Sequence, residues 1–311
     1  MHLKRTILLM PLLLLCLSQC NMKQSSDRPR ILISSDIGGT DPDDNQSMIH
    51  FLMYSDMFDI EGIVSSPSYG EGSKEQILEA IDLYEIDLPK LERHGKNFPS
   101  PEYLRSVTVQ GRKGRAPYEG FSEATEGSKW IVRCAKKECN QKLRVLVWGG
   151  LDDLAQALHD APEIKDNIRV YWIGGPNKKW STNSYAYIAA NFPDLWIIEA
   201  NASYRGFFSD AGVPDSLTND NYYDHFIRGA GELGKSFQGY YEGKIKMGDT
   251  PALLYMMHGN PDDPSGESWG GSFEKISHSP RVIFDRIATV ADTVPVYSMI
   301  EFKLEGPEVN V

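Results

Sequence analysis

Basic charge is scarce in this chain. It carries 32 Lys and Arg against 43 Asp and Glu, a formal net charge of −11. A partner made of phosphate backbone or anionic lipid needs a basic face, so nucleic acid and membrane surfaces are excluded as main ligands. Long apolar runs are missing too. The run ILLMPLLLLCL, residues 7 to 17, falls short of the roughly 20 residues that span a bilayer, and no later segment does better. Cysteine is limited to four residues. The spacing Cys134-Ala-Lys-Lys-Glu-Cys139 fits no usual zinc or redox motif, and His94, His159 and His278 offer no chemical spacing. There is no internal repeat and no low-complexity linker. With 41% hydrophobic and 24% charged residues, the composition is that of an ordinary globular protein and excludes disorder, collagen and coiled coil.

What is present begins with an export pattern. Lys4 and Arg5 precede the apolar run, which reads as a signal core. The sequence Leu17-Ser18-Gln19-Cys20 resembles a bacterial lipoprotein box, which implies acylation of Cys20, removal of residues 1–20 and attachment to the cell envelope, periplasmic or at the outer surface. An ordinary secretory signal cut nearby is the alternative. Residues 21–29 then form a polar tether and residues 30–311 the folded domain. Contact with membrane is expected only through the N-terminal lipid. Cys134 and Cys139 are the cysteines left in the folded part; a disulfide and free thiols both remain open.

From Arg30 onward, short β-branched runs alternate with helical patterns. ILISS (31–35), IEGIVSS (60–66), LRVLVW (143–148), IRVYWI (168–173) and LWIIEA (195–200) have the continuous apolar character of strands buried on both faces. Residues 45–55, 74–85, 127–137 and 151–160 space their apolar residues by three and four, as helices do. This alternation predicts an α/β fold with a mostly parallel, Rossmann-like sheet and flanking helices, with ligands at the carboxyl ends of the strands. After residue 205 the alternation fades. One helix, 251–259, and a strand-like run, 293–304, suggest a C-terminal cap over the sheet.

The first strand runs into Ser34-Ser35-Asp36-Ile37-Gly38-Gly39-Thr40-Asp41-Pro42-Asp43-Asp44. Two carboxylates about 4 Å apart repel by roughly 4 kcal/mol at an effective dielectric near 20, so a converging set must take up protons or a cation. All-oxygen ligation favours Ca²⁺. Asp43 and Asp44 could equally do no more than favour the helix dipole.

This loop resembles the metal loop of nucleoside hydrolases, Asp-Pro-Gly-x-Asp-Asp after the first strand. It is still more similar to that of the nucleoside-hydrolase-like family known as cellulose-binding, with Asp-Ile-Gly-Gly and then Asp-Pro-Asp-Asp. Further segments agree in order: Leu146-Val-Trp-Gly-Gly-Leu-Asp-Asp-Leu154, Trp172-Ile-Gly-Gly-Pro176, Glu199-Ala-Asn201 and Gly248-Asp249-Thr-Pro251. The resemblance implies Ca²⁺ held by Asp36, Asp43, Asp44 and Asp249 with the backbone carbonyl of Trp148. It further implies Asp36 as general base, Glu199 and Asn201 on the sugar hydroxyls, and hydrolysis of an N-ribosyl or related glycosidic bond. Two departures are visible. Ser34 stands where nucleoside hydrolases usually have another Asp, and Gly248 replaces the His that can help a nucleobase leave.

Asn177, Lys178, Trp180 and Asn183 follow a Gly-Gly turn, where they could read a sugar face. Asp152 and Asp153 read as helix caps, with a role in supporting the site left open by their place at a strand's end, and residues 258–264 with Trp269-Gly-Gly271 read as a rim over the pocket. The expected ligand is a small glycoside or oligosaccharide, and homo-oligomerisation is left open. The other functional class in contention is a carbohydrate-binding lipoprotein that keeps the fold and metal without turnover.

Overall fold

A computed structural model describes residues 28–39, 41–202, 212–239, 245–276 and 301–305. The expected signal, Cys20 and residues 293–300 lie outside the described residues. Arg28 and Pro29, at the end of the expected tether, are already packed: Arg28 donates to Asp59 at 2.5 Å, and the Pro29 carbonyl accepts from the Asp59 backbone at 2.9 Å.

Six parallel strands form the sheet: β1 (Arg30–Ser35), β2 (Asp59–Ser65), β3 (Thr108–Gln110), β4 (Leu143–Val147), β5 (Ile168–Ile173) and β6 (Ile197–Ala200), in the spatial order β3-β2-β1-β4-β5-β6. Successive side chains of a strand face opposite sides, and here both sides are buried. Ile31, Ile33, Leu146 and Tyr171 enter one apolar cluster, while Leu32, Val145, Val147, Val170 and Trp172 enter the other. The first cluster is covered by α1 (Asp43–Met53), α2 (Lys74–Leu91), α3 (Pro101–Ser106) and α10 (Thr250–Met257). The second is covered by α4 (Glu126–Ala135), α5 (Asp152–Asp160) and α7 (Thr182–Asn191), the last preceded by the short α6 (Asn177–Trp180). Two more short helices, α8 (Asn219–Tyr222) and α9 (Gly231–Ser236), precede α10. A two-stranded antiparallel sheet, β7 (Ser272–Ile276) with β8 (Glu301–Glu305), ends the described chain.

The expected strands and helices are present within a few residues, with differences that have simple causes. Helix α2 continues past residue 85 to Leu91, carrying Pro89 within it. Strand β3 has only three residues, too few to show a hydrophobic period.

Strand order places the site. After β1 the chain builds outward through β2 and β3; after β4 it builds the other way through β5 and β6. The crevice between the carboxyl ends of β1 and β4 is therefore the switch point at which open α/β sheets bind ligands. Asp36 follows β1 and Trp148 follows β4.

Candidate active site at the switch point

The loop after β1 turns back at Gly38, whose φ of +102° suits glycine. A Cβ there would also lie 2.7 Å from that of Ser73. The turn brings the start of α1 under the strand ends, with Asp43 and Asp44 buried. Ser35 Oγ donates to Asp44 Oδ1 at 2.5 Å. Asp249, at the amino end of α10, is fixed from behind by a hydrogen bond from its backbone N–H to Ser47 Oγ, 3.2 Å. Ligand oxygens of Asp43, Asp44 and Asp249 all lie within 4.8 Å of one another.

Asp36 sits beside this trio. Its carboxylate rests against the backbone of Gly149, where an added Cβ would come within 2.4 Å of Asp36 Cγ, so only glycine permits the approach. Asp36 also lies beside Asp44 and the hydroxyl of Ser68. Burial raises the pKa of Asp36, against the lowering effect of Asp44 and Ser68 beside it, and carries Asp44 and Asp249 well above the ordinary carboxylate value, with the neighbouring carboxylates pushing these two the same way. Asp43 is pushed up to about 8, chiefly by burial and then by its hydrogen bond with Asp41.

Among the described residues one cation meets this charge, and the sequence alone did not reveal it. Lys246 Nζ lies 2.6 Å from Asp41 Oδ2 and 2.8 Å from Asp43 Oδ2. Burial would lower its pKa, but the two carboxylates outweigh burial and hold it above the ordinary lysine value. Asp249 Oδ2 is buried with no hydrogen-bond partner. A desolvated, unpaired carboxylate oxygen among other acids is costly, and a metal cation is the natural group to satisfy it. The donors are all oxygen, which fits a hard divalent ion.

On the other side of the crevice, the carbonyl of Trp148 accepts from Asn177 Nδ2 at 2.9 Å, and Asn177 Oδ1 accepts from Ser68 Oγ at 2.7 Å. Loops from β2 and β5 thus meet across the ends of β1 and β4. Glu199 and Asn201, at the end of β6, converge on Gly174. A Cβ at Gly174 would stand 2.8 Å from Asn201 Oδ1 and 3.1 Å from Glu199 Cγ. Both Glu199 oxygens are engaged: one by the buried ammonium of Lys178, the other by the hydroxyl of Tyr185 at 3.2 Å. Asn183 donates to the carbonyl of Ala116 at 3.1 Å and so holds the loop that follows β3.

Two sequence expectations are corrected. Asp152 and Asp153 do not cap α5 with their side chains. They tie loops together: Asp152 accepts from Ala116 N–H and Ser184, and Asp153 from Ser66, Thr125 and Arg112 N–H. Residues 258–264 are not a rim over the pocket. Asp262 Oδ1 and the Pro261 carbonyl accept from Arg144, at 2.7 and 3.0 Å. Arg144 lies at the start of β4, so this loop lies at the amino ends of the strands, away from the crevice. Asp263 acts as a turn former, accepting from Ser265. Cys134 is a buried free thiol and Cys139 an exposed one.

The family described as "Cellulose-binding Sde182, nucleoside hydrolase-like domain" matches residues 30–273. No curated protein matches the chain significantly. Among solved structures, a nucleoside hydrolase-related protein from Saccharophagus degradans, associated with carbohydrate metabolism, is similar with 26% identity and a TM-score of 0.72. That similarity covers 90% of this chain and 67% of the other. An inosine-uridine preferring nucleoside hydrolase from Bacillus anthracis shares 18% identity over 80% of this chain and 86% of its own, with a TM-score of 0.47. A purine-preferring ribonucleoside hydrolase from Gardnerella vaginalis shares 13% over 80% and 83%, with a TM-score of 0.46. With its mostly parallel sheet, its acidic switch-point loop and a match that runs from β1 into β7, the chain belongs to the cellulose-binding Sde182 family with a nucleoside hydrolase-like domain.

Proposed function

We propose that this protein is a Ca²⁺-dependent hydrolase of glycosidic bonds, N-ribosyl or those of a related small glycoside or oligosaccharide, with Asp36 as general base. The observation that carries the reading is the meeting of Asp36 with Asp43, Asp44 and Asp249 at the switch point, where Asp249 leaves one buried carboxylate oxygen unpartnered. Asp43, Asp44, Asp249, Asp36 and the Trp148 carbonyl would hold the ion. When bound, it supplies positive charge that eases proton loss from a water and steadies the sugar diol.

The chain's own groups do the rest. Asp36 takes the proton from the attacking water. Gly149 and Ser68 fix where its carboxylate points. Asn201 and the Lys178–Glu199–Tyr185 group orient the sugar, and the acidic surroundings stabilise positive charge developing at the anomeric carbon. Gly248 carries no side chain to protonate a departing base, so the leaving group must depart with little help.

A panel of nucleosides and nitrophenyl glycosides, assayed with added calcium, tests this directly. Activated glycosides of the right sugar should be cleaved faster than inosine or uridine. Turnover of ordinary nucleosides at the higher rate would refute the leaving-group argument. The second reading, a carbohydrate-binding protein without turnover, is favoured by one observation: both Glu199 oxygens are already committed to protein groups. Either activity is proposed to operate outside the cytoplasm, on a protein anchored by a lipid at Cys20.

A further inference from the structure

Beyond the Asp36 pocket the crevice carries an aromatic pair that the mechanism does not use. Residues 66–73 leave the end of β2, and residues 174–180 leave the end of β5. These strands flank β1 and β4, so the two loops approach each other across the strands that carry Asp36 and Trp148. The Ser68–Asn177 hydrogen bond, 2.7 Å, joins them. One residue past Ser68 stands Tyr69, 57% exposed. Its ring meets that of Trp180 edge-on, with centroids 4.7 Å apart. Two cations attend the indole: the Arg115 guanidinium 4.6 Å and the Lys179 ammonium 5.2 Å from its centroid.

A large exposed ring is ordinary when isolated. Here it is held by a second aromatic and by the hydrogen bond that also anchors the groups around Asp36, since Ser68 contacts Asp36 as well. The ring face is electron-rich, and the axial C–H face of a neutral pyranose is its natural partner. Arg115 and Lys179 add donors for hydroxyl oxygens. A nucleobase is the weaker candidate, because nothing at Gly248 would protonate it on departure.

We propose that Tyr69 and Trp180 form a second sugar subsite, which stacks a further ring of a neutral oligosaccharide beyond the one held in the Asp36 pocket. This rests on the glycosidic reading of the Asp36 pocket and extends it from one sugar to two. Binding and turnover separate the two ideas.

Cellotetraose, xylotetraose and chitotetraose are titrated by calorimetry, with calcium, into the Asp36→Asn protein, which cannot turn them over. One of them should bind. Tyr69→Ser and Trp180→Ala, each added to that background, should weaken it about tenfold. The calcium affinity should stay unchanged, because both rings lie outside the acidic cluster. Tyr69→Phe should retain binding, since the ring face and not the hydroxyl does the stacking. Unchanged affinity in both truncated variants would overturn the subsite, as would failure of all three oligosaccharides to bind, or an equal loss of inosine binding. If a tetraose binds through Tyr69 and Trp180 while protein with Asp36 intact leaves it uncleaved, the subsite stands and the hydrolase reading falls.

Discussion

Removing divalent metal should make the stability of this protein fall as pH rises through neutrality, against the usual carboxylate behaviour. The cause is the buried acidic cluster. Asp43 is held near pKa 8 in the folded chain against an ordinary 3.8, and Asp44 and Asp249 are raised as well. Between those limits the folded state binds more protons than the unfolded one. Linkage then requires unfolding free energy to drop by about 1.4 kcal/mol per pH unit for each such proton.

Other groups set the window. Burial lowers His50 to about 4; it stays neutral when folded and takes a proton when unfolded, giving the opposite slope up to pH about 6.5. Asp152, raised to about 6 by burial, acts below that. Glu61 is lowered, its pairing with Arg30 and Lys137 outweighing its burial, so its contribution is fully present above the ordinary carboxylate value and is lost only at lower pH. The clean interval is therefore pH 6.5 to 7.5. Across it Asp43 alone accounts for about 1 kcal/mol, which for a domain of this size shifts Tm by about 3 °C. Asp44 and Asp249 add to this. Urea titrations in EDTA at three pH values measure the slope. Saturating calcium should abolish it, because the ion displaces the protons. Flat or rising stability in EDTA, or an equal fall with calcium present, would refute the reasoning.

Three further outcomes follow from particular contacts. Lys246→Met should lower the melting temperature of the metal-free protein by leaving Asp41 and Asp43 without their ammonium, yet tighten calcium binding about tenfold by removing a competing cation; terbium luminescence reads the second effect. Gly149→Ala should displace Asp36, whose Cγ a new Cβ would approach to 2.4 Å, and reduce turnover while calcium stoichiometry is kept; unchanged kinetics would detach Asp36 from Gly149. Cys20→Ser should abolish labelling by a fatty-acid probe in cells, and persistent labelling would remove the lipid anchor from the account.

The central strands were legible because burial on both faces writes itself as continuous runs such as IRVYWI. Strand β3, TVQ, was not, since three residues at an edge need little apolar character. Helix α7, TNSYAYIAAN, lacks the charged outer face that marks an amphipathic helix. In the site, Asp36, Asp43 and Asp44 are neighbours in sequence, and their crowding could be read as chemistry. Asp249 could be placed only by resemblance. The partners that set its electrostatics were invisible: Lys246 reaches Asp41 across 205 positions, and Ser68 reaches Asn177 across 109. Such contacts are products of the strand order and leave no local pattern. The supposed rim failed for a related reason: turn residues such as Asp262 and Asp263 mark a loop, not the end of the sheet on which it lies.

The most direct test of the central claim is steady-state turnover of the best glycoside by wild-type and Asp36→Asn protein, with calcium saturating and ligand binding measured in parallel. The account predicts turnover in the wild type, a loss of about 10²- to 10⁴-fold in the variant, and ligand affinity changed little between the two. Turnover that survives loss of the Asp36 carboxylate, or a wild-type protein that binds its glycan and never cleaves it, would contradict it.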